Sequence, residues 1–394
     1  MNVDLIMSGA MAVVLLGFGA LVRAGQRGLT PQAPAAIKEP ERWPRVAWIV
    51  PVTGAPPGLG ERLATLLSQD YPHYQMIFAV RDLEDAATPG LARFIRKHPR
   101  ARLVLAGPAR TCGQKNANLL AGVKLAGEAP EILVFSDANQ MAPPHFLRRL
   151  VAPLARGKAE VASGYHHLIP ADHRLATLGR AVTVLTLYLT KTIPRLNQPW
   201  GGATAIRRDT FYGLEVPRLW GETVVDDVSL AARLVRAGTP VALSPGAALA
   251  TPAAGETLKS WQSWLFRQWL YLKYYLPGSW LAAGLFLYLT AALTLLAALR
   301  VVLTPLSGAS FQTILAWLFL AGLTALALSL RPLHPAPGPP ARWLLASGMA
   351  LGMAVWVHLR TCLTHRLAWR DRNYDMDWRG RVRSVANAGK MNRK

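Results

Sequence analysis

Phe135-Ser136-Asp137-Ala138-Asn139 sets a carboxylate and an amide oxygen two residues apart. Both are hard oxygen donors, and together with phosphate oxygens they suit a divalent cation such as Mg2+ or Mn2+. An aspartate at such a place also serves as a turn or helix cap. In Gly113-Gln114-Lys115-Asn116-Ala117-Asn118 a lysine falls at the start of a helical stretch, where free backbone N–H groups and a cation favour a phosphate. A solvated lysine in a polar turn reads the same way. Trp200-Gly201-Gly202-Ala203-Thr204 offers paired glycines, which admit a ligand close to the backbone or simply make a tight turn. Val225-Asp226-Asp227-Val228 opens a helix with two adjacent carboxylates, which read either as an N-cap pair favoured by the helix dipole or, since adjacent residues point different ways, as one cap and one general base. Trp264-Leu265-Phe266-Arg267-Gln268-Trp269 places an arginine among aromatics, where it can reach a diphosphate while a neighbouring tryptophan lines an acceptor site or anchors at a membrane surface.

Between residues 45 and 258 strand-like and helical stretches alternate. Arg45–Val52, Gln75–Val80, Ala101–Ala106 and Glu131–Ser136 are short apolar runs, separated by helical spacing over Leu59–Ser68, Pro89–Lys97 and Gln114–Ala126. That grammar predicts an α/β domain with a largely parallel sheet, whose ligands lie beyond the carboxyl ends of the strands. Acidic residues stand at two such ends: Asp82 and Asp85 after Val80, and Asp137 after Ser136.

The flanks follow another rule. Residues 5–22, 274–299 and 301–330 carry no charged side chain, and a bilayer needs about 20 such residues per helix. Residues 1–23 are read as a membrane anchor, 24–44 as a linker, 259–276 as an aromatic helix at headgroup level, and 277–363 as a transmembrane region with segments near 277–299, 310–330 and 343–363. The 44 Lys+Arg against 22 Asp+Glu give a net charge of +22, and ten Lys/Arg against three Asp lie in residues 360–394. Such an excess fits either nucleic acid or cytoplasmic flanks of membrane spans, and the spans select the second. Counting four full crossings from an outside N-terminus puts the basic tail 364–394 on the wrong side, so one segment must fall short of a crossing. The 343–359 run is the shortest and is expected to be re-entrant or interfacial. Two distant cysteines, Cys112 and Cys362, exclude a disulfide framework and agree with a reduced compartment.

The order of these elements resembles the membrane-bound family 2 glycosyltransferases, most closely the ceramide glucosyltransferase-like branch, family 21. The likeness covers about residues 45–275 together with the anchor and the C-terminal spans, and extends to Asp377-Trp378-Arg379-Gly380-Arg381 in the tail. It implies a GT-A domain and inverting transfer, with Mg2+ or Mn2+, from a nucleotide sugar such as UDP-glucose. The acceptor would be the hydroxyl of a membrane lipid such as ceramide, with a hopanoid, diacylglycerol or polyprenyl phosphate acceptor as the alternative. A processive polysaccharide synthase is the neighbouring alternative within family 2. By position, the resemblance makes Asp82 and Asp85 nucleotide contacts and Lys115 a diphosphate contact. It puts Asp137 and Asn139 at the metal and diphosphate site, makes Asp227 the catalytic base with Asp226 beside it, and gives Arg267 the arginine of the Gln/Arg-x-x-Arg-Trp motif. Gly201, Gly202, Asp226, Trp264, Gln268 and Trp269 would form the acceptor site, although Trp264 and Gln268 depart from the motif. The implied setting is a multi-pass protein of a bacterial inner membrane with its catalytic domain in the cytoplasm and no nucleic-acid partner.

Overall fold

The computed structural model describes residues 3–29, 39–308, 310–364, 366–369 and 372–387. A long helix, α1 (Val3–Leu29), precedes the sheet-forming part. There β1 (Val46–Pro51), α2 (Leu59–Leu67), β2 (Tyr74–Val80), α3 (Thr88–Arg96), β3 (Ala101–Leu105), α4 (Gln114–Ala126) and β4 (Ile132–Phe135) alternate. Then follow α5 (Phe146–Ala155), β5 (Val161–Pro170), α6 (Leu175–Thr190), β6 (Thr204–Arg207), α7 (Arg208–Gly213), α8 (Val216–Glu222), α9 (Asp227–Ala237) and β7 (Val241–Ala253). The seven strands form one sheet in the order β3-β2-β1-β4-β6-β5-β7. The first four are mutually parallel, whereas β6 is antiparallel to both its neighbours.

β1 shows why these runs become central strands. Successive side chains point to opposite faces, and both faces are covered, so the strand is apolar throughout rather than alternating. Val46, Trp48 and Val50 join one core with Leu63, Phe146 and Leu150, while Ala47 and Ile49 join the other with Leu119, Phe211 and Trp220. The linker is shorter than the sequence implied. Residues 24–29 continue α1, residues 30–38 lie outside the described ones, and Arg42 and Trp43 already belong to the domain. Arg42 pairs with Glu131, and the Trp43 ring packs 5.2 Å from Tyr71.

Beyond the sheet come α10 (Leu258–Tyr275), α11 (Pro277–Ser307), α12 (Phe311–Ser329) and α13 (Pro340–Cys362). Among the described residues four helices, α1 and α11 to α13, are long and apolar enough to cross a membrane. Three of them form a bundle around Met11, Val14, Leu293, Ala297, Ala316 and Phe319. In it α1 and α12 run the same way: the Gln312 amide donates to Asp4 at one end, and Gly25 sits against Leu333 at the other. The fourth helix differs. Near the start of α13, Arg342 donates to the His173 carbonyl; near its end, Lys273 of α10 donates to the Thr361 carbonyl at 2.6 Å. Both ends therefore abut the sheet-bearing domain or α10, with Val357 packed on Trp261 and Leu265 between α10 and α13.

Two sequence readings gain detail here. The aromatic stretch 259–276, read as a helix at headgroup level, is packed against the rest of the protein on two sides. Trp261, Leu265, Leu270, Tyr271, Tyr274 and Tyr275 are buried, because α10 is walled by α13 on one side and by the tail on another. The tail is not merely a basic extension. It folds into an antiparallel sheet, β8 (Arg366–Trp369), β9 (Arg372–Met376) and β10 (Val382–Asn387), whose Leu367, Tyr374 and Met376 share a core with Val224, Leu270 and Tyr275. Its charge obscured a period-two apolar pattern.

Candidate active site

A cavity of about 450 Å3 opens beyond the carboxyl ends of β1 and β4, bounded by α6, α10 and the tail sheet. Asp137 follows β4 and lines it together with Ala138 and Asn139. Lys115, in the first turn of α4, reaches across: its ammonium lies 2.8 Å from Asp137 and 3.1 Å from Asp226. Burial disfavours the charged lysine, but the Asp137 and Asp226 carboxylates overcome that and raise its pKa. Asp226 is only 2% exposed. Burial, working against the Lys115 ammonium, holds its carboxyl above the ordinary range.

Asp227, half-buried at the start of α9, faces the cavity, and its Oδ2 accepts from the Gly201 N–H at 3.0 Å. The glycine pair makes this contact possible. A Cβ on Gly201 would collide with the Asp226 carboxylate and the Lys115 ammonium, and one on Gly202 with the Trp200 ring and the Gln140 amide. Both glycines thus shape the wall from behind; the cavity surface here is Trp200.

The two candidate nucleotide aspartates separate. Asp85 lines the cavity, with Oδ1 accepting from the Gly54 and Ala87 backbone N–H groups at 2.8 and 3.0 Å. Asp82 is absent from the lining; its carboxylate is held by the neighbouring Arg81 at 2.6 Å and caps the Glu84 N–H. On α10, Trp264, Arg267, Gln268 and Tyr271 line the cavity at i, i+3, i+4 and i+7. Trp269 lies off that stripe, facing α13, where its ring meets His358 edge-on at 4.9 Å, so it is not a cavity residue.

Several lining residues carried no local signal in the sequence. His166 of β5 stacks on Trp200, centroids 4.4 Å apart and 9° from parallel, and its Nδ1 bonds the Thr251 hydroxyl at 2.7 Å. Arg180 of α6 pairs with Glu256 and lies 5.0 Å over the Trp264 ring. Outside the lining, Lys191 is buried beside Tyr165 with its ammonium on the Gln198 carbonyl, and burial lowers it to about 7. Trp369, Arg372 and Tyr374 arrive from the tail. These contacts join segments far apart in the chain, which no local spacing reports.

The sequence profile described as glycosyl transferase family 21 matches residues 9–382. The chain belongs to that family. Its matched span runs from α1 to the first residue of β10, so β8 and β9 of the tail lie within the family match. Among solved structures, the mannosyltransferase PcManGT from Pyrobaculum calidifontis, in complex with GDP-Man and Mn2+, superposes with a TM-score of 0.52 at 19% identity. It covers 90% of this chain and 99% of that one. At that identity the likeness speaks for the fold, which is of the GT-A type. GalNAc-T7, solved with UDP, GalNAc and Mn2+, aligns over 59% of this chain and 48% of that one, with a TM-score of 0.41 and 10% identity. The family 21 membership makes this chain a glycosyltransferase, and the cavity is where its carboxylates and cations converge.

His166 gives the site a pH signature. Burial pushes its imidazole down to about 3, from an ordinary 6.5. Between those values the unfolded chain binds a proton that the folded one refuses, so stability is full above the unfolded value and falls as pH drops. At about pH 5 the loss from this residue is roughly 2 kcal/mol. Replacing His166 by Phe keeps a ring over Trp200 and removes the titration. The fall in thermal midpoint from about pH 7 to about pH 5 is expected to flatten in this variant; an unchanged slope would remove His166 from the account.

Proposed function

We propose that this family 21 glycosyltransferase moves a hexose, with inversion, from a nucleoside diphosphate sugar such as UDP-glucose to the hydroxyl of a membrane lipid such as ceramide. The observation that carries the reading is Asp227. It is a half-buried carboxylate held by Gly201, in one cavity with Lys115, Asp137 and Arg267, under a roof of α10 that backs onto an apolar helix layer.

The residues after β4 fit a divalent cation, Mg2+ or Mn2+. Asp137 and Asn139, whose side chains carry oxygen donors, line the cavity, and beside them the buried Gln140 Oε1 has no hydrogen-bond partner among the described residues. Asp137 and Asn139 would hold the ion, and when bound it would supply positive charge against the leaving diphosphate. The chain's own residues do the rest. Lys115 and Arg267 place two further cations at the cavity, where they would stabilise the charge developing on a diphosphate. Asp227 accepts the proton of the attacking hydroxyl, and the Gly201 N–H fixes the orientation of its carboxylate. Asp226, deeper and bound to Lys115, positions that ammonium. The Trp264, Gln268 and Tyr271 side chains form the wall toward the helix layer, the side from which a lipid hydroxyl would enter.

The membrane arrangement follows the same logic. α1, α11 and α12 cross the bilayer, while α13 lies along the catalytic domain without crossing. Domain and tail then share one face, and the basic tail puts that face in the cytoplasm.

Membranes containing the protein should transfer label from UDP-glucose or a related UDP-hexose into the organic-extractable lipid fraction, and mass spectrometry of lipids with and without the gene should show one hexosylated class. Label found only in material of high mass would favour the processive reading, and no label in either would overturn both.

A further inference from the structure

Arg372 lies in β9 of the tail, beyond every apolar helix of the chain, yet it lines the cavity that holds Asp137, Asp227 and Lys115. Its side chain is buried, with the residue 8% exposed. One N–H of its guanidinium donates to the Ala109 carbonyl at 3.2 Å. It forms no ion pair with a carboxylate of the described residues, although carboxylates line the same cavity. Asp137 and Asp226 are taken up by Lys115, Asp85 by two backbone N–H groups, and Asp227 by Gly201 and Val228. A guanidinium kept from water without a counter-ion is costly, and a site that maintains one is shaped for an anion that comes and goes.

The anchor point narrows the choice of anion. Ala109 belongs to the loop that leads into α4, where its own N–H donates to the Gln114 side chain at 3.0 Å, one residue before Lys115. Arg372 is thereby held beside a helix N-terminus and a lysine, a setting that collects phosphate oxygens, and a guanidinium adds a planar, two-pronged donor to it. The placement is secured from behind. Tyr374 and Met376, on the same strand, are buried in the core shared with α9 and α10, and the Tyr275 hydroxyl donates to the Gly380 carbonyl at 2.6 Å.

We infer that Arg372 is a substrate-binding residue that clasps the diphosphate of the nucleotide donor, so that the C-terminal sheet completes the donor site. This rests on the proposed use of a nucleoside diphosphate sugar. The test measures binding of UDP and UMP, and of GDP to the wild type, with Mn2+ present, to the full-length protein in detergent, as wild type and as Arg372→Met, Arg372→Lys and Arg383→Ala. Met preserves the aliphatic stem, and Arg383→Ala removes a tail charge from an exposed position. Losing a charge-assisted contact to the diphosphate should weaken UDP binding by about 10- to 100-fold in Arg372→Met, with a smaller loss in the Lys variant. UMP should change by less than about threefold, since it lacks the second phosphate, and Arg383→Ala should bind both ligands as wild type does. Limited proteolysis of the tail reports whether the sheet stays docked. Wild-type affinity for UDP in Arg372→Met, or equal losses for UDP and UMP, overturns the inference. A wild type that binds neither UDP nor GDP overturns the donor reading on which it stands.

Discussion

Asp227→Asn is expected to lower the turnover number for glycosyl transfer by at least about 10^3-fold while leaving the protein folded and able to bind donor. The amide keeps an oxygen for the Gly201 N–H, so the geometry at the start of α9 survives; what disappears is the group able to take a proton. The neighbouring carboxylate provides the contrast. Asp226 is buried against Lys115 at 3.1 Å and sits behind Gly201. Asp226→Asn removes one of two carboxylates that hold the Lys115 ammonium, so its main effect should fall on donor KM and thermal stability, each moderately, with turnover reduced less than in Asp227→Asn. The measurement is transfer of labelled hexose into membrane lipid at saturating and limiting donor. Full turnover in Asp227→Asn would take Asp227 out of the role of base, and the reverse ranking of the two variants would hand that role to Asp226.

Much of this site could be read before the fold was in view, for reasons that differ by element. The central strands carry continuous apolar runs because both faces of the sheet are covered, so β1 and β4 announced themselves, and Asp137 with them. The stripe of α10 was also available. Residues 264, 267, 268 and 271 share one helical face, and the same geometry turns Trp269 toward α13, an arithmetic that motif spacing alone does not supply. Asp82 beside Arg81 was a visible reason to expect a local pair rather than a ligand contact. By contrast, the stacking of His166 on Trp200 and the cover of Arg180 over Trp264 join strands and helices distant in the chain. The tail misled for a different reason: nine positive charges dominate the composition of residues 364–394, while Leu367, Tyr374 and Met376 set its fold.

Ending the chain at Thr364 tests what that hidden fold does. The deletion takes away β8, β9 and β10 and with them Trp369, Arg372 and Tyr374 from the cavity wall. It also uncovers Val224, Leu270 and Tyr275, which are buried beneath the sheet. Each large side chain so uncovered, and each lost from the sheet, gives up about 1.5–3 kcal/mol of burial. The region that loosens is the one that carries Asp226 and Asp227, since Val224 and Val225 lead directly into them. Transfer should therefore fall by at least about 10^2-fold, through both turnover and donor KM. Membrane insertion should persist, because the α1/α11/α12 bundle has its own core and does not use the sheet. A graded version replaces Gly380 by Val. This glycine has φ of 76° and abuts the Tyr275 ring, so the larger residue meets both a left-handed backbone costing about 1–3 kcal/mol and a steric block. Its activity should lie between wild type and the truncation, with increased protease sensitivity of the tail. A truncated chain that transfers sugar at the wild-type rate would show that the sheet merely covers α10, and that the donor site is complete without it.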